Sequence, residues 1–319
     1  MRRYQVLRLM LRAVFLWLSE QPRIFTFVRK NRLARKLASR FVAGETIDEA
    51  MAAVRELNAS NLSASLDLLG ESVQHAEEAH RACRTYLDLL DRIHGEKANA
   101  NVSVKLTQMG LDIDEPLCLG NMRAIIGKAK QYDSFVRIDM EQSTYTAKTL
   151  RLFTDIFYPE FGNAVGVVLQ SYLRRTMADV DAMIALGARV RLCKGAYQEP
   201  EDVAFPNKSD VDANYIACME RLLERGNYPG IATHDVAIVD HAKTFAKAHG
   251  ISPQRFEFQM LYGVRRDLQY RLRREGHNLR VYVPFGTHWY PYLMRRLAER
   301  PANIAFITTN ILKEWTTRR

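Results

Sequence analysis

From Leu62 onward, short apolar or β-branched runs alternate with longer stretches of helical periodicity. The runs number eight: Leu62 to Leu68, Asn101 to Leu106, Phe135 to Met140, Ala164 to Gln170, Arg189 to Lys194, Gly230 to Thr233, Arg255 to Met260 and Arg280 to Pro284. The segments between them are long enough for helices, as in Asp210 to Arg225 and Val236 to His249, with Gly226 and Gly250 standing where such helices stop. Near-continuous apolar strands joined by helices imply a parallel sheet, and eight such units close into a TIM-type (β/α)8 barrel, an α/β fold. A doubly wound sheet is the alternative, but no GxGxxG follows any run. Ile47 to Leu57, preceded by Gly44-Glu-Thr46, predicts a capped helix ahead of strand one. The expected division is an N-terminal helical arm over 1–60 and a barrel over 61–319.

Charge is spread unevenly along this pattern. Up to Arg40 the chain holds 11 Lys or Arg and one acid, Glu20, whereas the remainder holds 35 of each sign and is neutral. That argues against a nucleic-acid-binding body, whose basic residues would cover a folded face. The first residues, Met1 to Leu18, are basic and amphipathic, with an apolar run too short and too arginine-interrupted for a signal peptide or a transmembrane helix. Such a segment either lies on an anionic membrane surface, making the protein peripheral, or packs on the barrel. Cys83, Cys118, Cys193 and Cys218 stand far apart without CxxC spacing, so neither a disulfide framework nor a zinc cluster is indicated and a reducing, cytoplasmic compartment fits. The sequence leaves the oligomeric state open.

Active sites of such barrels form at the C-terminal ends of the strands, and polar residues are plentiful there. They include Glu71 after strand one, Lys105 on strand two, Asp139 and Glu141 ending strand three, Gln170 ending strand four, and Arg191 and Lys194 on strand five. Strand six ends Thr233-His-Asp235, strand seven holds Glu257 and Gln259, and strand eight holds Tyr282. Alternating charge, as in Arg189-Val-Arg-Leu-Cys-Lys194, points side chains either into the barrel or toward the helices, and ion pairing such as Asp139 with Lys105 is the structural account. A purely structural interior would instead be mostly Val, Ile and Leu. Beyond strand eight, Gly286 breaks the strand and Pro291 suits a first helical turn, so Arg295 and Arg296 fall just inside a helix running on from Tyr292. They lie about 100° apart around it and can converge on a carboxylate near the strand end; the alternative is a solvated face with Arg295 paired to Glu299. His234 and His288 have no second ligand at metal spacing, so no metal site is expected, and no Gly-x-Ser-x-Gly turn supports serine nucleophile chemistry.

Three segments together, Val190-Arg-Leu-Cys-Lys-Gly-Ala-Tyr197, Phe256-Glu-Phe-Gln-Met-Leu-Tyr-Gly263 and the stretch from Val281 to Arg300, resemble the signature of the flavin-dependent proline dehydrogenases, in order from about Phe41 to about Asn303. The resemblance implies oxidation of L-proline to 1-pyrroline-5-carboxylate on FAD, with hydride leaving C5 for flavin N5 and electrons passing to a membrane quinone. It assigns flavin contacts to Gln170, Arg191, Lys194, Gly195, Ala196, Thr233 and His234, with Gln259 grouped beside them. It assigns the substrate carboxylate to Lys105, Arg295 and Arg296, with Glu299 one turn on, and packs the substrate ring against Tyr282. Asp139 is expected to hold Lys105, and Glu71 to close the site by pairing with Arg295. Two positions depart from the family pattern: Gln198 stands where Trp is usual, and Asp235 where the family has Asn. A 4-hydroxyproline or other cyclic amino-acid dehydrogenase, or a membrane-surface protein without catalysis, are the rival readings.

Overall fold

A computed structural model describes residues 39–299. The basic segment from Met1 to Ser19 and the stretch beyond Glu299 lie outside the described residues. Eight parallel strands form a closed barrel in sequential order, β1 (Ser63–Leu68), β2 (Ala100–Val104), β3 (Val136–Ile138), β4 (Val165–Gln170), β5 (Arg189–Cys193), β6 (Gly230–Ala232), β7 (Glu257–Leu261) and β8 (Asn278–Phe285). Closure is made by β1 against β8, in register from Ser63 opposite Arg280 to Leu68 opposite Phe285. The expected (β/α)8 architecture is therefore present.

Helix α1 (Ile47–Ala59) precedes β1 and starts at a capping box. Thr46 Oγ1 accepts from the Glu49 amide at 3.3 Å while Glu49 Oε2 accepts from the Thr46 amide at 3.0 Å, so two otherwise orphaned donors are satisfied. Around the barrel follow α2 (Ala76–Gly95), α3 (Glu115–Gln131), α4 (Ser143–Leu152), α5 (Tyr158–Phe161), α6 (Thr176–Leu186), α7 (Lys208–Arg225), α8 (Val236–Ala248), α9 (Arg266–Arg274) and α10 (Trp289–Glu299). Strand seven begins two residues later than the sequence pattern suggests, because Pro253–Arg255 forms a 3-10 turn capped by Ser252. Strand two ends before Lys105, whose carbonyl accepts from Met109 and starts a turn. The last helix starts three residues earlier than Tyr292, which places Pro291 inside its first turn, where no backbone N–H is missed.

The alternation along each strand sorts its residues to two sides. Leu66, Val104, Ile138, Val167, Leu192 and Val283 face the helices and join one continuous apolar core. The intervening residues meet inside the barrel, and many of them are polar: Arg191 on β5 reaches Ser65 on β1 and Ser103 on β2. Contacts across the full width of a closed sheet are possible only through its interior. At the floor, Arg280 Nε donates to buried Glu257 at 2.8 Å, and fully buried Arg137 donates to the carbonyls of Val167 and Arg189. Gly166 makes room for Arg137, since a Cβ there would lie 2.8 Å from its Nη1 and 2.4 Å from the Arg189 carbonyl. The polar filling costs stability wherever a charge lacks a partner, which ties these interiors to function more than to folding.

Candidate active site

At the C-terminal mouth the interior residues form one connected cluster. Arg191 is its centre. Its Nη1 donates to Asp139 Oδ1 at 2.7 Å, its Nε to Gln259 Oε1 at 2.5 Å, and its Nη2 to Ser103 Oγ at 3.0 Å. Its guanidinium carbon lies 5.2 Å from the centre of the Tyr282 ring, within cation–π range. Tyr282 in turn donates its hydroxyl to the other Asp139 oxygen at 2.7 Å. Burial, with Asp139 and Asp67 nearby, holds the Tyr282 pKa well above that of an ordinary phenol, so it remains a donor.

Lys105 does not pair directly with Asp139 as the sequence suggested; its Nζ donates to Asp67 Oδ1 at 2.6 Å. The reason is register: Asp67 opposes Ser103 across the β1–β2 ladder, so the lysine two residues on meets it first, while Asp139 is held by Arg191 and Tyr282. Asp67 was missed although the signal was present, because Ser63-Ala-Ser-Leu-Asp-Leu68 alternates polar and apolar just as strand five does. Burial penalises the Lys105 ammonium, yet the carboxylates of Asp67, Asp139 and Glu71 outweigh it and hold its pKa above the ordinary value. Burial pushes Asp67 the other way, toward its protonated form, against the pull of Lys105. Asp67 and Asp139 thus each hold one cation of the mouth, Lys105 and Arg191.

The other expected residues take distinct places. Gln170, buried at the end of β4, donates to the Met140 carbonyl at 3.4 Å, while its Oε1 is buried with no donor among the described residues. Lys194 is bound by Asp212 at 2.5 Å and Asp235 at 3.1 Å. Gly195 has φ +103°, and a Cβ there would lie 2.2 Å from the Tyr172 ring, so the turn carrying Ala196 needs glycine. His234 Nε2 accepts from the Leu261 amide at 2.9 Å, which stitches the β6 end to β7. Thr233 is buried, and its hydroxyl accepts from the Asp235 amide at 3.1 Å. Glu71 accepts from the Tyr197 hydroxyl at 3.4 Å. Arg295, Arg296 and Glu299 lie on α10, but their side chains fall outside the described residues. Two clefts of about 480 and 440 Å³ open elsewhere, and neither is lined by Lys105, Asp139, Arg191 or Tyr282.

Residues 50–309 match the family model described as proline dehydrogenase. The chain belongs to the proline dehydrogenase family. It is 44% identical over 299 residues to proline dehydrogenase 2 of Bacillus subtilis, covering 91% of this chain and 98% of that one. It is 43% identical over 306 residues to the proline dehydrogenase of Deinococcus radiodurans, covering 95% and 98%. Among solved structures it resembles proline utilization A (PutA) from Bdellovibrio bacteriovorus inactivated by N-propargylglycine, with a TM-score of 0.77 and 28% identity over 83% of this chain and 32% of that chain. Against the family pattern, Asp235 in place of Asn has a local rationale: its Oδ1 caps α8 by accepting from the Ala237 amide at 3.2 Å, a task either side chain performs. No helix among the described residues is long and apolar enough to cross a membrane.

Proposed function

We propose that this chain oxidises L-proline to 1-pyrroline-5-carboxylate with FAD as its cofactor and a membrane quinone as the final acceptor. The observation that carries the reading is the cluster of Lys105, Asp67, Asp139, Arg191 and Tyr282 at the mouth where such barrels act, in a chain of the proline dehydrogenase family. Bound FAD supplies the ring that takes hydride from C5 of proline. The residues present suit a flavin. Gln170 offers a buried acceptor with no donor among the described residues, matching the N–H edge of an isoalloxazine, and Arg191 offers a cation where reduction builds negative charge. Thr233, His234, Gly195, Ala196 and Gln259 frame the same mouth, and Lys194, bound between two aspartates, contributes little net charge to it.

Lys105 has the charge and position to receive the substrate carboxylate, with Arg295 and Arg296 of α10 completing the clamp and Glu299 following one turn on. Tyr282 forms a wall for the ring, its phenol fixed by Asp139, and a fixed phenol disfavours a ring hydroxyl at that place. Glu71, on the loop after β1, gates the substrate side, where it accepts from the Tyr197 hydroxyl. The purified protein is expected to be yellow, to show flavin absorbance bleached by L-proline, and to turn over with a soluble quinone. A colourless preparation that also takes up no added FAD defeats the reading.

A further inference from the structure

Glu141 has no part in the chemistry described so far, yet it is buried to 2% exposure two residues beyond Asp139. Its Oε2 accepts the Thr107 hydroxyl proton at 2.5 Å and its Oε1 accepts the Thr107 amide at 3.2 Å. With its proton committed to Glu141, Thr107 Oγ1 is left as an acceptor, and it takes the Ser72 amide at 3.0 Å. Ser72 directly follows Glu71 and has φ +50°, a left-handed conformation that costs a non-glycine residue about 1 kcal/mol and needs an external hold. The loops after β1, β2 and β3 are thus joined by a short hydrogen-bonded chain, from Glu141 through Thr107 to the backbone beside Glu71.

We propose that Glu141 is a positioning residue that sets the Glu71 loop for substrate binding through Thr107. The inference rests on the reading of Glu71 as the gate of a proline site. A carboxylate is the strongest available partner for a hydroxyl, and a hydroxyl that donates to an anion becomes a better acceptor, so the ionised form of Glu141 tightens the bond to Ser72. Burial pushes the Glu141 carboxyl up to about 7, opposed by Thr107 and Lys105 and reinforced by Glu71. Cys118 on α3 and Tyr145 on α4 also face it. The hold on the gate therefore strengthens as pH rises through neutrality.

The test uses the FAD-loaded full chain and two readouts, KM for proline between pH 6 and 8 and hydrogen exchange at the Ser72 amide. In the parent protein KM is expected to fall across this range. In E141Q it is expected to be flat and, at pH 8, roughly five-fold higher, with kcat changed less than about two-fold, as for one weakened hydrogen bond outside the reacting atoms. Ser72 exchange should accelerate. T107V should reproduce both effects, T107S should restore them, and E141Q with T107V should add nothing further. If E141Q retains both the parental pH profile and the parental Ser72 protection, Glu141 is not a positioning residue. If E71Q leaves KM unaltered, the gate reading falls by itself, while accelerated Ser72 exchange in E141Q still upholds the tether.

Discussion

The pair Lys105–Asp67 is the contact whose removal separates the physical account from its rivals. Its atoms are 2.6 Å apart and its side chains are 11% and 1% exposed, so neither charge has water to turn to. Removing one partner of such a pair leaves the other buried without its nearest countercharge, which costs about 3 kcal/mol or more. D67N and K105M should therefore each lower the unfolding free energy by about that amount. The double variant leaves no orphaned charge, so its loss should not exceed that of either single variant and should fall well short of their sum, with a coupling of about 3 kcal/mol. Urea titrations of the four proteins, followed by circular dichroism, give the cycle. D67N has a second expected signature: with one of three carboxylates gone, burial weighs more heavily on Lys105, its ammonium is lost at lower pH, and KM for proline climbs on the alkaline side. Losses additive within about 0.5 kcal/mol would refute the claim that the two charges depend on each other.

Three further outcomes follow from the site. Tyr282→Ser should raise kcat/KM for 4-hydroxyproline relative to proline by about 1–3 kcal/mol, the value of a hydroxyl-sized conflict; an unchanged ratio removes Tyr282 from the ring wall. Arg295→Met and Arg296→Met should each cost roughly 2–4 kcal/mol in kcat/KM without loss of FAD, and parental kinetics in both would return the pair to a solvated helix face. Glu141 is protonated more readily in the fold, at about 7 against an ordinary 4.5, so its contribution to stability is full below about 4.5 and is lost as pH rises through about 7. Relative to E141Q, the parent protein should thus lose about 3 kcal/mol of stability between those limits, as thermal melts across pH can check.

How far the sequence foretold this molecule depends on what set each feature. The eight strands were visible because apolar alternation is a local property, and their ends shifted where Pro253 or the turn at Lys105 intervened. The candidate residues Arg191, Asp139, Gln259 and Tyr282 do meet in one cluster. Their pairing was not legible, because whether Lys105 meets Asp67 or Asp139 depends on the stagger between neighbouring strands, and no single strand encodes that. Glu141 was visible at the end of strand three, but its pairing with Thr107 was not, for a similar reason: they are 34 residues apart and become partners only when β2 and β3 align.

Arg191 also bears on how the barrel comes together. Its acceptors Ser65, Ser103 and Asp139 are supplied by the first three strands, up to 126 residues away, while Arg191 and Gln259 belong to the second half. Neither half alone can satisfy this set, and its longest loop joins the fifth strand to the first. The guanidinium therefore acts as a keystone whose hydrogen bonds distinguish the joined halves from either half alone. Two fragments divided in the α5 to β4 region would carry complementary unmet donors and acceptors, and re-association of such fragments would be read most directly at the Asp139 carboxylate.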